Sequence, residues 1–269
     1  FRRVLFRSCI LTPKMADIKN HPNIQLMAYS EVVAVKGFVG NFKVTVMKKP
    51  RYIDESICNA CGTCAKYCSI AIVDRYNEGL SKLKALHIPF PQAIPAAYVI
   101  SPAECRFLKE GTCRQCEQVC RELHAINLDQ KVEYVELDVG TIVVATGFDL
   151  FDPARKPELG YTKYENVITS MEFERIVSAS GPNQGELLVH GRKPKEVVFV
   201  QCVGSRDKTV GNEYCSRVCC MYTAKHAHLV REKIPDARVT VFYIDVRAFG
   251  KGFEEFYDRV KNEGVYYRR

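Results

Sequence analysis

Apolar and polar positions alternate in two short stretches near the start of the chain. Residues 24–35 (IQLMAYSEVVAV) and 42–49 (FKVTVMKK) read as a strand pair, with a turn across Gly37 to Asn41. From about Arg51 to Gln130 the alternation breaks into short cysteine-rich pieces with few long apolar runs. Periodicity returns at Val132 with VEYVELDVG, which leads into TIVVATG (Thr141 to Gly147), a run with the look of a buried strand. After a turn rich in proline and aspartate, a helix is predicted around Ser170 to Ser180. A second strand, EVVFVQCVG (Glu196 to Gly204), is followed by a loop and a helix from about Ser216 to Lys233, closed by Pro235. A third strand, ARVTVFYID (Ala237 to Asp245), completes a β-loop-α-β unit. The order predicts an α/β domain with a parallel sheet, interrupted by a cysteine-rich insert.

With 269 residues, 47% of them hydrophobic, the chain suits one large core or two domains. No apolar run approaches the roughly 20 residues of a membrane helix, so a soluble, cytoplasmic protein is expected. The opening FRRVLFRS (Phe1 to Ser8) lacks the apolar core and cleavage site of a signal peptide. It resembles an in-frame translation of a sequencing adapter and is set aside from fold reasoning. The ending GVYYRR stops without a helix cap or polar tail, so the sequence reads as a fragment.

The thirteen cysteines change the picture most. They are clustered and odd in number, and C-x-x-C neighbours share a metal more readily than they staple distant loops. A reducing compartment follows. The formal charge of +8 counts each cysteine as neutral. Four thiolates around an oxidised 4Fe–4S core leave about −2, so three clusters would cancel about −6 of it. The basic excess therefore does not call for nucleic acid.

The first motif is Cys58-x2-Cys61-x2-Cys64-x3-Cys68 and the second is Cys105-x7-Cys113-x2-Cys116-x3-Cys120. Each resembles the bacterial ferredoxin run, the second with an inserted loop after its first cysteine. In two-cluster ferredoxins the fourth cysteine of each run ligates the other cluster. One cluster would then take Cys58, Cys61, Cys64 and Cys120, and the other Cys105, Cys113, Cys116 and Cys68. Gly62 eases the turn between ligands. The proline that usually follows the fourth cysteine is replaced by Ser69 and Arg121. The competing reading, a structural zinc pair, prefers two well-separated C-x2-4-C pairs.

A third group lies where a dinucleotide-binding unit would carry its glycine-rich turn. The strand ends QCVGSRD without G-x-G-x-x-G, and Cys202, Cys215, Cys219 and Cys220 occupy that neighbourhood. A helix N-terminus that favours phosphate also favours an anionic cluster. On spacing alone, buried thiols or a redox disulfide remain open, although vicinal Cys219 and Cys220 would strain the intervening peptide if paired.

The segments CILTPKM, IPFPQA, VATGFDLFDP, FVQCVGSRD, YCSRVCCMY and FYIDVRAFGKGFEEFY closely resemble the A subunits of heterodisulfide reductases, across nearly all of residues 9–269. The resemblance implies a thioredoxin-reductase-like (Rossmann-type) flavoprotein domain interrupted by an inserted two-cluster ferredoxin domain. Its divisions would be 9–50, the end of a first flavin segment; 51–131, the ferredoxin insert; 132–195, the flavin domain continued; and 196–269, a nucleotide-domain-like part. The resemblance also implies that Cys202, Cys215, Cys219 and Cys220 bind a third 4Fe–4S cluster. Ala145, Thr146 and Gly147 resemble the ATG segment that closes a flavin site. Lys225 is either close to the flavin ring or a solvated helix lysine. The N-terminal flavin fingerprint is absent, and Cys9 is left unassigned.

By the same resemblance, the intact protein passes electron pairs onto FAD from a hydrogenase or formate dehydrogenase component. It then splits them between ferredoxin and the coenzyme M–coenzyme B heterodisulfide, by way of the B and C subunits of heterodisulfide reductase. A homodimer within the larger complex is implied, without nucleic acid or membrane. The rival readings are a related flavin protein of a non-methanogen respiratory complex and a passive ferredoxin-like carrier.

Overall fold

The computed structural model describes residues 8–120 and 123–269. The adapter-like reading of residues 1–8 thus falls, except for Ser8, outside the described residues. The chain divides into two compact units, Ser8–Gly147 and Phe148–Arg269, and is mixed α/β with several small sheets.

The first unit opens with α1 (Ser8–Asn20), then β1 (Ser30–Phe38) and β2 (Asn41–Lys48), paired antiparallel. The predicted first strand begins late because Tyr29, at φ 58°, takes a left-handed turn that ends any extended run before it. The cysteine-rich stretch builds only short elements. They are α2 (Thr63–Tyr67), β3 (Ala71–Val73), β4 (Lys82–Lys84), β5 (Leu86–His87), β6 (Val99–Ile100), α3 (Arg106–Glu110) and α4 (Gln115–Val119). β7 (Glu133–Val139) then returns to the far side of β2. The alternating NFKVTVMK of β2 points Val44 and Val46 to one face, level with Val135 and Leu137 of β7, where both β2 valines are buried.

A backbone neck joins the sheet to the cysteine-rich stretch. Asp54 N donates to Ala125 O at 2.7 Å, and Asn127 N donates to Tyr52 O at 3.0 Å. Ile53 and Ile126 bridge antiparallel between them. Beyond the neck, Ile53, Leu86, Ile100, Ala125, Ile126 and Leu128 form a small core. Thiols and aromatics of the cysteine-rich loops pack against it, among them Cys58, Cys68, Cys105 and Tyr98.

In the second unit α5 (Ser170–Val177) starts in a capping box. Glu172 N donates to Thr169 Oγ1 at 3.1 Å, and Thr169 N donates back to Glu172 Oε2 at 2.5 Å. β8 (Glu196–Val200), α6 (Cys219–Lys233) and β9 (Arg238–Phe242) form the expected β-loop-α-β unit, with the two strands parallel. α7 (Phe253–Asn262) leads into β10 (Tyr266–Arg268), parallel to the other side of β9. Met221, Ala224, Ala227 and Val230 give α6 a buried face against Val239 and Val241 of β9, with Phe256 and Val260 of α7 in the same core. The small alanines let helix and sheet approach closely.

One expected strand does not form. Thr141 to Gly147 is unpaired coil, with Val143 85% and Val144 78% exposed. An apolar run fits a strand by pattern, but a strand exists only where a neighbour takes its backbone hydrogen bonds. Among the described residues none does.

Candidate metal centres

Cys58, Cys61, Cys64 and Cys120 line one cavity of about 480 Å³, together with Gly62, Tyr98 and the apolar Ile53, Leu123 and Ile126. The loop that carries three of them is folded by two left-handed residues, Ala60 (φ 58°) and Gly62 (φ 82°). Such conformations are sparsely populated by alanine and cluster where a site demands them. Asn59 Oδ1 accepts the Cys61 amide at 3.1 Å and fixes the turn. The contact between α2 and α4 brings Cys120, at the end of α4, alongside the first run.

Cys68, Cys105, Cys113 and Cys116 line a second, tighter cavity with Ile70, Leu86 and Ile100. Each run therefore lends its fourth cysteine to the other's cavity. Burial pushes the Cys64 thiol up to about 12, and the nearby Cys120 and Cys58 add to the shift. Burial likewise pushes Cys116 up to about 11, with Cys105, Cys113 and Cys68 adding to it. Thiolates so crowded deprotonate only against a strong positive charge at their centre, which is what an iron–sulfur core supplies. The donor sets fit such a core.

The third group sits where β8 runs into α6. Cys202 turns the strand at φ 60°, and Arg206 (φ 56°) and Arg217 (φ 64°) are left-handed in the same loop. Cys219 and Cys220 are buried in the first turn of α6, and Cys215 Sγ accepts the Arg217 amide at 3.3 Å. Hydrogen bonding from Cys220 lowers Cys219 to about 6 against its burial, and Cys202 also contributes to the lowering. Burial and the Cys219 charge push Cys202 up to about 11. The three sulfurs thus share protons around one thiolate. Asp245 braces two cations beside them, at 2.6 Å from Arg206 Nη1 and 3.3 Å from Arg247 Nε.

Cys202 and Cys219 also line a cavity of about 470 Å³ with Phe151, Gly204, Glu174 and His226. Gly204, at φ 68°, is required there, because a Cβ would lie 2.0 Å from the Phe151 ring. The cysteines of all three groups are free thiols. Among the described residues no group of three or more His, Cys, Asp or Glu side chains is placed to hold a single metal ion. A cube holds its ligands further apart than one ion does.

The flavin-site expectations fare unevenly. Ala145, Thr146 and Gly147 lie in exposed coil, and the structure brings no other site residue to them within their unit. Lys225 is no solvated lysine. It is buried, and its Nζ pairs with the Glu174 carboxylate. His226, the next residue on α6, is fully buried and contacts the same carboxylate oxygen at 2.7 Å. Sequence reasoning missed Glu174. Its signal was a lone acid between Phe173 and Ile176 on the apolar side of a short helix.

No protein-family model matches the chain. The chain is 51% identical over 253 residues to the A subunit of the "H(2):CoB-CoM heterodisulfide,ferredoxin reductase" of Methanothermobacter marburgensis, across 93% of this chain and 38% of that protein. It is 49% identical over 257 residues to the second of the iron-sulfur A subunits of "CoB--CoM heterodisulfide reductase" in Methanopyrus kandleri, across 95% and 38%. It is 46% identical over 256 residues to the A subunit of the "H(2)/formate:CoB-CoM heterodisulfide,ferredoxin reductase" of Methanococcus maripaludis, across 94% and 38%. The chain thus spans about 38% of the length of these curated relatives.

Proposed function

The chain belongs to the family of CoB–CoM heterodisulfide reductase A subunits, and from that premise we propose that it carries three 4Fe–4S clusters within an FAD-dependent electron-transfer protein. The observation that carries this reading is the sorting of eight cysteines into two cavities of four, each completed by the other run. The ligands would be Cys58, Cys61, Cys64 and Cys120; Cys68, Cys105, Cys113 and Cys116; and Cys202, Cys215, Cys219 and Cys220. The first two sets would form the inserted ferredoxin domain. The parallel β8–α6–β9 unit would be the nucleotide-domain-like part of a thioredoxin-reductase-like flavoprotein.

Clusters supply one-electron carriage, and the flavin supplies exchange between two electrons and one. The chain's own residues do the rest. Cysteine thiolates anchor the cores, and backbone amides such as that of Arg217 are available to sulfur. Ala145, Thr146 and Gly147 would offer exposed backbone to the dinucleotide. Lys225, held by Glu174, would hold a positive charge near the flavin ring.

For the whole protein, the reading is a cytoplasmic component of an oxidoreductase that couples heterodisulfide reduction to ferredoxin reduction by flavin-based electron bifurcation. Its partners would be the B and C subunits of heterodisulfide reductase, a hydrogenase or formate dehydrogenase component, ferredoxin and a second copy of itself. The relatives' names, which join hydrogen or formate, heterodisulfide and ferredoxin, support this. No helix among the described residues is long and apolar enough to cross a membrane.

Anaerobic purification with iron, sulfide and FAD counted per chain tests the reading. About twelve iron atoms are expected from three four-iron clusters. A colourless chain with no paramagnetic signal after dithionite would sink it, and a full-length protein with iron but no flavin would leave a passive carrier.

A further inference from the structure

Tyr98 stands out in the cavity of Cys58, Cys61, Cys64 and Cys120. It follows Ala97 and precedes Val99, both fully or almost fully buried, so the backbone that carries it is fixed. Ile100 N donates to Arg51 O at 3.0 Å and Ser101 N to Ala85 O at 2.8 Å, which tie down the same segment. Its hydroxyl lies 3.1 Å from where a Cβ on Gly62 would be, against the turn that joins Cys61 to Cys64. Tyr98 is half-buried, and no hydrogen bond of its hydroxyl is found among the described residues. The tyrosine of the second cavity, Tyr67, is 57% exposed, where water competes for its hydroxyl.

We infer that Tyr98 donates its hydroxyl hydrogen bond to sulfur of the cluster held by Cys58, Cys61, Cys64 and Cys120, and thereby raises the reduction potential of that cluster alone. The inference rests on the cluster reading above and deepens it. A hydrogen bond to sulfur stabilises the more negative, reduced state more than the oxidised one. A phenol ordinarily loses its proton only near pH ~10, so near neutral pH the hydroxyl remains a donor in both states. Tyr98 is thus a positioning residue that tunes one carrier and takes no electron itself.

The test is an EPR-monitored redox titration of the anaerobically purified full chain and its Tyr98→Phe variant, with iron and sulfide counted first. The signal altered in Cys120→Ser marks this cluster, and the signal altered in Cys68→Ser marks its neighbour. In Tyr98→Phe the first signal should move down, with the reduced-to-oxidised ratio at fixed potential falling roughly tenfold, about 59 mV for one electron. The second signal should stay in place. Electron–nuclear double resonance should show one exchangeable proton lost from the first cluster.

Three results would overturn the inference: a fully loaded variant with an unmoved potential, equal shifts of both signals, or selective loss of this cluster from the variant. A wild-type chain without iron would instead sink the cluster reading, and the inference with it.

Discussion

His226 Nε2 and Glu174 Oε1 meet at 2.7 Å across 52 positions of sequence, inside the core of the second unit. The Lys225 ammonium reaches the same oxygen. Burial alone would raise the Glu174 carboxyl, but the His226 hydrogen bond and the Lys225 charge outweigh it and hold the group below its usual range. Burial lowers His226, and its Nδ1 has no partner among the described residues, so a second proton there would be an orphaned buried donor. The imidazole is therefore neutral and donates from Nε2.

The neutral histidine makes the fold acid-sensitive. Below an unfolded pKa of about 6.5 the unfolded chain takes up a proton that the folded chain refuses, so stability falls with pH by up to about 1.4 kcal/mol per unit. The Glu174 contribution runs at lower pH, lost only as acid passes through its depressed folded value. In His226→Gln the decline between about pH 7 and about pH 5.5 should flatten, although the variant starts less stable at about pH 8. Urea midpoints by circular dichroism across that range check this. An unchanged slope would remove His226 as the source.

Glu174→Gln removes the carboxylate that the buried Lys225 ammonium meets, which should cost about 3–5 kcal/mol. The pair Glu174→Gln with Lys225→Met should be destabilised by less than the sum of the single changes, because the two side chains share one contact. Thermal melts of the four proteins close the cycle; simple additivity would mean the two groups do not interact.

Gly204 admits the Phe151 ring at a left-handed turn directly after Cys202 and Val203. Gly204→Ala should cost about 1–3 kcal/mol through strain and overpacking. Adding Phe151→Ala should restore room for the methyl but leave the backbone strain. The partial rescue is read from the unfolding midpoint, and no rescue would place the penalty in the backbone alone.

The crossed cysteines give a sharper test of the metal centres. Cys120→Ser should alter the signal of the Cys58–Cys61–Cys64 site, and Cys68→Ser that of the Cys105–Cys113–Cys116 site. EPR of dithionite-reduced protein distinguishes this from the uncrossed arrangement, in which each change would strike its own run.

Cys219→Ala should lower iron from about twelve atoms per chain to about eight and spare the other two signals. A variant that keeps all its iron would remove the third site.

Strands and helices with a repeating pattern were legible in advance. β7, β8, α6 and β9 lie within the stretches that periodicity marked out, and β2 begins one residue before its stretch, because each turns one regular face inward. The run from Thr141 to Gly147 misled for the same reason: its apolar pattern states a preference for burial, whereas pairing depends on a neighbour. The cysteine runs stood out in the sequence because their spacing is local, and the structure gathers eight of the cysteines around two cavities. Glu174, Tyr98 and the pairing of Arg206 with Asp245 were not, since each meets its neighbour across a distance in sequence that no periodicity encodes. Lys225 was the hardest case, as a lysine on a helix looks solvated until its counter-ion is known.

The neck at residues 52–54 and 125–127 has one more implication. Lys48 and Glu133, paired at the ends of β2 and β7, are 85 positions apart in sequence yet side by side in space. A long guest thus occupies the place of a hairpin turn, and doubling such a loop adds only roughly 0.6 kcal/mol of closure cost. By that arithmetic the two strands accommodate the whole cysteine-rich stretch much as they would a longer loop, so exchanging or excising it between the neck residues is expected to leave the strands on either side without need of redesign.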